Sequence, residues 1–211
     1  MIDDVFADPA GIIAEVARRA SFTTDGVAAA GYPGVQAPAP SAYGRALLAA
    51  ADEALAALFG TRDGAIGEIV CRFSLVTQPP AALHPLQTVP HVDIAEPDRF
   101  AILHFLCGAP FGGTAFYRQD ATGLEQLSRA DWPAYAAERD RLLSENPDRA
   151  YPHAGTAGYT QTATIAARMD RVVVYRSHSL HSGIIPAEVA HPADPRRGRL
   201  TGNLFARYRT G

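Results

Sequence analysis

The sequence predicts a mainly β protein with flanking helices, a barrel-like double-sheet domain with helices packed outside it. Three observations carry that expectation. Two helical patterns fill the first 60 residues and stop at Gly60. From Ile66 onward the chain breaks into short β-branched and aromatic runs separated by Gly and Pro. One charged, helix-like stretch, residues 123–145, interrupts those runs as an insertion.

The elements follow in order. Asp8-Pro9 ahead of Gly11-Ile12-Ile13-Ala14-Glu15-Val16 reads as a capped helix with Pro in its first turn, ending near Ala20. Residues 21–40, with Gly31-Tyr32-Pro33-Gly34 and Pro38-Ala39-Pro40, read as a long irregular connection. Ser41 is expected to cap a second helix that runs to Phe59, with Leu47, Leu48, Leu55 and Leu58 at near-helical spacing. Strand-like runs then fall at 69–76, 100–107, 112–118, 160–167, 172–175, 183–185 and 200–208. The whole of 1–211 reads as a single domain, with the β core over 66–208.

Composition narrows the class. A chain of 211 residues that is 47% hydrophobic and 19% charged can bury a sizeable core and is not a disordered segment. The net charge of −3 gives no case for nucleic acid, although Arg196, Arg197, Arg199, Arg207 and Arg209 cluster near the end. The two cysteines, Cys71 and Cys107, lie in apolar runs outside any Cys-x-x-Cys spacing and read as small hydrophobes. No basic segment leads into an apolar one at the N-terminus and no apolar run approaches 18 residues, so a cytoplasmic protein without membrane spans is expected.

The chemistry centres on His91-Val92-Asp93. On an extended strand, residues i and i+2 share a face, so an imidazole and a carboxylate would project into one cavity. A second imidazole from a distant strand completes the two-His, one-carboxylate set of a non-haem Fe(II) site with open positions. His181 is the best-placed partner, after the apolar run Val172-Val173-Val174-Tyr175 and at the start of the next strand. His178 is the runner-up; His104 reads as a core or supporting residue, and His84, His153 and His191 stand beside Pro in loops. Arg199, with Thr201 on the same strand face, could bind a carboxylate through paired N–H donors.

At these residues the chain resembles the 2-oxoglutarate/Fe(II)-dependent oxygenase superfamily, in its prolyl-4-hydroxylase-like branch. The apolar strand Phe100 to Cys107 leads to Gly112-Gly113-Thr114-Ala115-Phe116, like the segment that follows the His-x-Asp of that family. Val172 to Ser177 with His181-Ser182-Gly183, and Arg199-Leu200-Thr201, resemble its distal His and its carboxylate-binding Arg-x-Ser/Thr. The resemblance implies a double-stranded β-helix, the jelly-roll or cupin-like core. Fe(II) would be held by His91, Asp93 and His181, and the 2-oxoglutarate co-substrate by Arg199 and Thr201. Arg199 follows His181 by 18 residues, more than is usual, so Ala187 to Arg197 must be an excursion and Arg196 and Arg197 stand as alternatives. The implied reaction is hydroxylation of an amino-acid, peptide or other small-molecule substrate. Phe105, Phe116 and Tyr175 are candidate walls. The Tyr32 loop, Leu83 to Gln87 and the segment from Trp132 to Tyr159 would select the substrate. The rival readings are a cupin-type metalloenzyme that does not use 2-oxoglutarate, a non-catalytic jelly-roll binding module and, least favoured by the charge, a nucleic-acid-repair oxygenase.

Overall fold

A computed structural model describes residues 1–24, 31–61, 65–146 and 149–209. Parts of two expected segments, 25–30 of the first connection and 147–148 of the region before Tyr159, lie outside the described residues. The protein has a double-stranded β-helix core with helices outside. In chain order the elements are α1 (Pro9–Arg19), β1 (Gly34–Pro38), α2 (Ser41–Phe59), β2 (Ala65–Val76), β3 (Arg99–Phe105), β4 (Gly113–Gln119), α3 (Trp132–Glu145), β5 (Tyr159–Ala166), β6 (Arg171–Arg176), β7 (His181–Ile184) and β8 (Leu200–Arg209). They form a five-stranded sheet, β1-β2-β8-β3-β6, facing a three-stranded one, β5-β4-β7. All the pairings are antiparallel.

Strand periodicity sorts the side chains between the two faces of the large sheet. Phe100, Ile102, Leu204 and Ala206 face outward and pack on Leu47, Leu48, Ala51 and Leu55 of α2. Each fully buried leucine there is worth about 1.5–3 kcal/mol of burial. Val16, with Ile12 and Ile13, sets α1 against Phe73, Leu75 and Leu200 of the same outer face. The alternate residues Leu103, Thr201, Asn203 and Tyr175 point inward, toward the small sheet, and line a cavity. On the other side of the small sheet, Tyr135 and Leu142 of α3 pack on Ala115 and Tyr117.

Four local expectations are corrected. The connection over 21–40 contains β1, which pairs with the edge of β2 from Gly34↔Val76 to Pro38↔Arg72. Pro38 can end an edge strand because it needs no ladder N–H there. Ser41 is the first helical residue of α2 and not its cap: Pro40 precedes the helix, and no side chain caps it. The helix in the insertion begins at Trp132 and not near 123. Pro133 fits only a first turn, and the Asp131 carboxylate is already occupied by Ser128 N and Oγ at 2.8 and 2.6 Å. Finally, His91-Val92-Asp93 is not on a strand; only His91 makes an isolated antiparallel bridge, to His181.

Gly112 shows how tightly the turn into β4 is drawn. Its φ of +82° and the backbone carbonyl of Ile184 beside its Cα both exclude a side chain. The expected Gly-Gly-Thr turn is therefore a backbone requirement of the junction between β4 and β7.

Candidate metal centre

His181 opens β7, and its backbone exchanges hydrogen bonds with that of His91: His91 N to His181 O is 2.9 Å and His181 N to His91 O is 2.8 Å. Asp93 is fixed by a different anchor. Its N–H donates to Ser177 O at 2.9 Å, and Ile94 N shares that carbonyl at 3.3 Å. The segment is thus stitched across to the turn before β7, and the two side chains converge without the strand that the i, i+2 reading assumed.

The geometry is compact. One ligand atom from each of His91, Asp93 and His181 can be chosen so that all three lie within 4.8 Å of one another. His181 Nε2 lies 3.6 Å from Asp93 Oδ2, and His91 Nε2 lies 4.0 Å from Asp93 Oδ1. The two imidazole rings are 4.6 Å apart between centroids. His181 Nδ1 donates to Ser179 O at 2.9 Å, which leaves the Nε2 lone pair facing the cluster, where Tyr175 Oη approaches it at 3.2 Å. Asp93 Oδ2 is buried and has no hydrogen-bond partner.

Burial decides the protonation states. It pushes the imidazoliums of His91 and His181 down to about 4, the first helped by the adjacent His181. The His91 side chain is 54% exposed, but that surface is cavity wall with protein around it, so its charged form is still poorly solvated. Burial also lifts the Asp93 carboxyl to about 6, against the opposing pull of His91. At neutral pH the cluster therefore offers two lone pairs and a poorly solvated carboxylate, a donor set that fits Fe(II).

The triad opens into a cavity of about 500 Å³ between the two sheets, within the range of small-molecule sites. Arg199 lies in its wall, 4% exposed. Its Nε and an Nη donate to the carbonyls of Phe111 and Gly113 at 3.1 and 2.7 Å, and its guanidinium lies over the Phe105 ring at 5.8 Å. Among the described residues no carboxylate pairs with it. Thr201, 1% exposed, lines the same cavity. Tyr32 brings its hydroxyl near both, desolvated and without a hydrogen-bond partner. Arg196 and Arg197, the alternatives, are exposed on the excursion before β8.

The other histidines are elsewhere. His178 is buried but turned to Glu96 O and Gln126 Oε1, at 3.3 and 3.2 Å. His104 is fully buried on the outer face of β3, between Tyr43 Oη at 2.8 Å and Asp170 Oδ1 at 2.9 Å. His84 and His153 accept from nearby backbone N–H groups in their own turns, and His191 contacts Pro186 O. Of the expected walls, Tyr175 lines the cavity, Phe116 packs edge-on against it at 5.4 Å, and Phe105 lies beneath Arg199. Sequence reasoning marked the segment from Trp132 to Tyr159 but did not single out Arg139, a charged residue of the cavity wall. The spacing Trp132, Tyr135, Arg139 places all three on one helix face, the signal by which it could have been found.

Fold and site together define a double-stranded β-helix protein with a three-residue candidate metal centre at the mouth of an intersheet cavity. Residues 1–206 match the model of the family of unknown function DUF6445, and the chain belongs to that family. Among curated proteins none matches significantly. Two solved structures share the fold at 12% identity. One is the non-heme alpha ketoglutarate dependent epimerase SnoN from nogalamycin biosynthesis, with TM-score 0.52 over 99% of this chain and 80% of that one. The other is HygX from Streptomyces hygroscopicus with nickel and 2-oxoglutarate bound, with TM-score 0.53 over 98% of this chain and 81% of that one. Among the described residues no helix is long and apolar enough to cross a membrane.

Proposed function

We propose that the protein is an Fe(II)- and 2-oxoglutarate-dependent dioxygenase, hydroxylating an amino-acid, peptide or other small-molecule substrate, with no nucleic-acid or membrane partner. The observation that carries this reading is Arg199. It is a buried cation with carbonyl partners only, in the same cavity as His91, Asp93 and His181. A buried charge without a counter-charge is costly, and a dianionic ligand supplies one. A cupin-type enzyme using the metal alone gives that charge no task, and a non-catalytic binding module leaves the three converging donors without one.

In this reading His91, Asp93 and His181 hold Fe(II), and the Ser179 carbonyl keeps His181 Nε2 free for it. Bound Fe(II), with 2-oxoglutarate and O2, supplies the oxidising chemistry; per turnover 2-oxoglutarate and O2 give succinate and CO2, and the second oxygen atom enters a C–H bond of the substrate. Arg199 binds the distal carboxylate of the co-substrate, Thr201 adds a hydroxyl donor, and Tyr32 stands where its orphaned hydroxyl can donate to the same group. The wall from Tyr175, backed edge-on by Phe116, excludes water from the reacting carbon. Of the two structural neighbours, SnoN is alpha ketoglutarate dependent and HygX holds 2-oxoglutarate beside nickel.

The test is an anaerobic titration of the Fe(II)-loaded protein with 2-oxoglutarate, followed by its visible metal-to-ligand band and then by succinate release in air. A band in wild type that is lost in His181→Ala and in Arg199→Ala supports the reading. Fe(II) uptake without a band transfers the site to the cupin-type alternative, and no Fe(II) uptake leaves a binding module.

A further inference from the structure

Three charged side chains among the described residues line the cavity: Asp93, Arg199 and Arg139. The first two belong to the metal and co-substrate ends in the reading above. Arg139 lies on α3, outside both sheets, and its surroundings are those of a held group. Its guanidinium carbon sits 5.8 Å from the centroid of Trp132 and 5.8 Å from that of Tyr135. Although it stands on a surface helix, its side chain is only 17% exposed.

Arg139 is also incompletely neutralised. Its Nε and one Nη reach a single oxygen of Asp140, at 2.9 and 2.8 Å. Asp140 is itself 63% exposed, so solvent screens much of that pairing. The remaining Nη has no partner among the described residues. Beside it Trp132, the one tryptophan of the chain, leaves 43% of its surface open at the cavity wall. An aromatic and an arginine side by side in a concave site are the residue types that dominate recognition.

This end of the cavity is rigidly referenced to the metal ligands. Tyr135 Oη donates to Pro90 O at 2.7 Å, one residue before His91, while its ring supports Arg139. A group held at Arg139 is thereby set at a constant offset from the triad, the positioning that an oxidation of one chosen carbon demands.

We propose that Arg139 and Trp132 form the substrate-recognition end of the cavity and that the substrate class is an aromatic acid, its ring on the Trp132 indole and its carboxylate on Arg139. This rests on the dioxygenase reading for the chemistry, but the recognition itself can be measured apart from it. The indole is its own reporter, because fluorescence from the single tryptophan comes from the proposed site.

The experiment titrates the Fe(II)- and 2-oxoglutarate-loaded protein, without oxygen, with three probes: 3-phenylpropanoate, its neutral amide, and the ring-saturated 3-cyclohexylpropanoate. Trp132 emission and the visible band are followed together. 3-Phenylpropanoate should bind on the order of tenfold or more tighter than the amide, since a charge-assisted pair is lost in the latter. It should also bind more tightly than the saturated acid. Arg139→Gln should erase the acid–amide difference, Arg139→Lys should restore part of it, and both should keep the visible band. Equal binding of acid and amide in wild type overturns the proposal, as does an acid preference that survives Arg139→Gln. If the visible band never forms, the dioxygenase reading fails instead, and the same probe comparison on the metal-free protein still decides whether Arg139 recognises the acid.

Discussion

The two sides of the large sheet hold the same kinds of residue and do opposite things with them. On the outer face His104, Asp170 and Tyr43 form a closed set: His104 bonds to both of the others, and the second oxygen of Asp170 accepts Phe6 N at 2.8 Å. Tyr43 is seated over Gly202, where any side chain would displace its hydroxyl. On the inner side His181, Asp93 and Tyr32 are also largely sheltered, yet Asp93 Oδ2 and Tyr32 Oη lack partners and, among the described residues, Arg199 lacks a counter-charge. A buried His–Asp pair is therefore not in itself a mark of chemistry. What separates the two sides is whether the polar groups are satisfied within the chain, and groups left open at the wall of a cavity are the ones that await a ligand.

The contrast breaks first at the candidate metal ligands. His181→Ala should weaken Fe(II) binding, measured by equilibrium dialysis, by more than about 100-fold, because residues that merely orient a ligand are already worth about 10–100-fold. Its thermal midpoint should barely change. Arg199→Leu comes next: 2-oxoglutarate affinity in the visible titration should fall on the order of 100-fold, the cost of truncating one partner of a buried charge pair. Without ligand this variant should be about as stable as wild type, since it removes an uncompensated buried charge. A large loss of stability in either variant would place it with the outer, structural set.

The inner set was more legible than its setting. His91, Asp93 and His181, which the structure brings together, could be selected as a candidate ligand set because their flanking runs have marked textures, an apolar strand after one and before the other. The conformation at His91-Val92-Asp93 could not be read, because Asp93 is held by the carbonyl of Ser177, 84 residues on, and not by local pairing. Arg196, Arg197 and Arg199 are alike in sequence; only the last, adjoining Leu200 where β8 begins, is buried. β1 was missed because five residues between Pro33 and Ala39 have little strand character of their own and gain it from β2. Arg139 belongs to the cavity through the tertiary docking of α3, the packing of Tyr135 and Leu142 on β4 and the bond from Tyr135 to Pro90. By contrast α2, its leucine spacing ending at a left-handed Gly60 with φ +69°, is a local decision and was readable as one.

On the outer face the effects should appear in stability alone. Asp170→Ala leaves His104 and Phe6 N buried without an acceptor. It also forces Ala into the left-handed conformation that Asp170 adopts at φ +61°. A loss of about 3–5 kcal/mol is expected in urea unfolding. Asp170→Asn tolerates that backbone and keeps an acceptor, so it should cost less. Fe(II) affinity of the folded fraction should be unchanged in both.

The smallest effect separates the two sides by pH. Burial holds the imidazolium of His104 below its usual range, against the opposing hydrogen bond from Asp170. The folded protein therefore resists protonating His104 while the unfolded chain accepts a proton near pH 6.5. The unfolded state then binds more protons than the native one as the pH drops below about 6.5, so stability falls with falling pH. One such group contributes at most about 1.4 kcal/mol per pH unit, and its contribution ends where the native imidazole also protonates. Urea midpoints measured from pH 7.5 to 5 should give His104→Gln a shallower slope than wild type by up to one proton. That change in slope is independent of the variant's overall loss of stability. A slope that instead becomes steeper above about pH 6.5 would mean that His104 is already charged in the native state, paired with Asp170 as an ion pair. The outer set would then be held by an ion pair and not by hydrogen bonds to an uncharged imidazole, the closure that distinguishes it from the inner one.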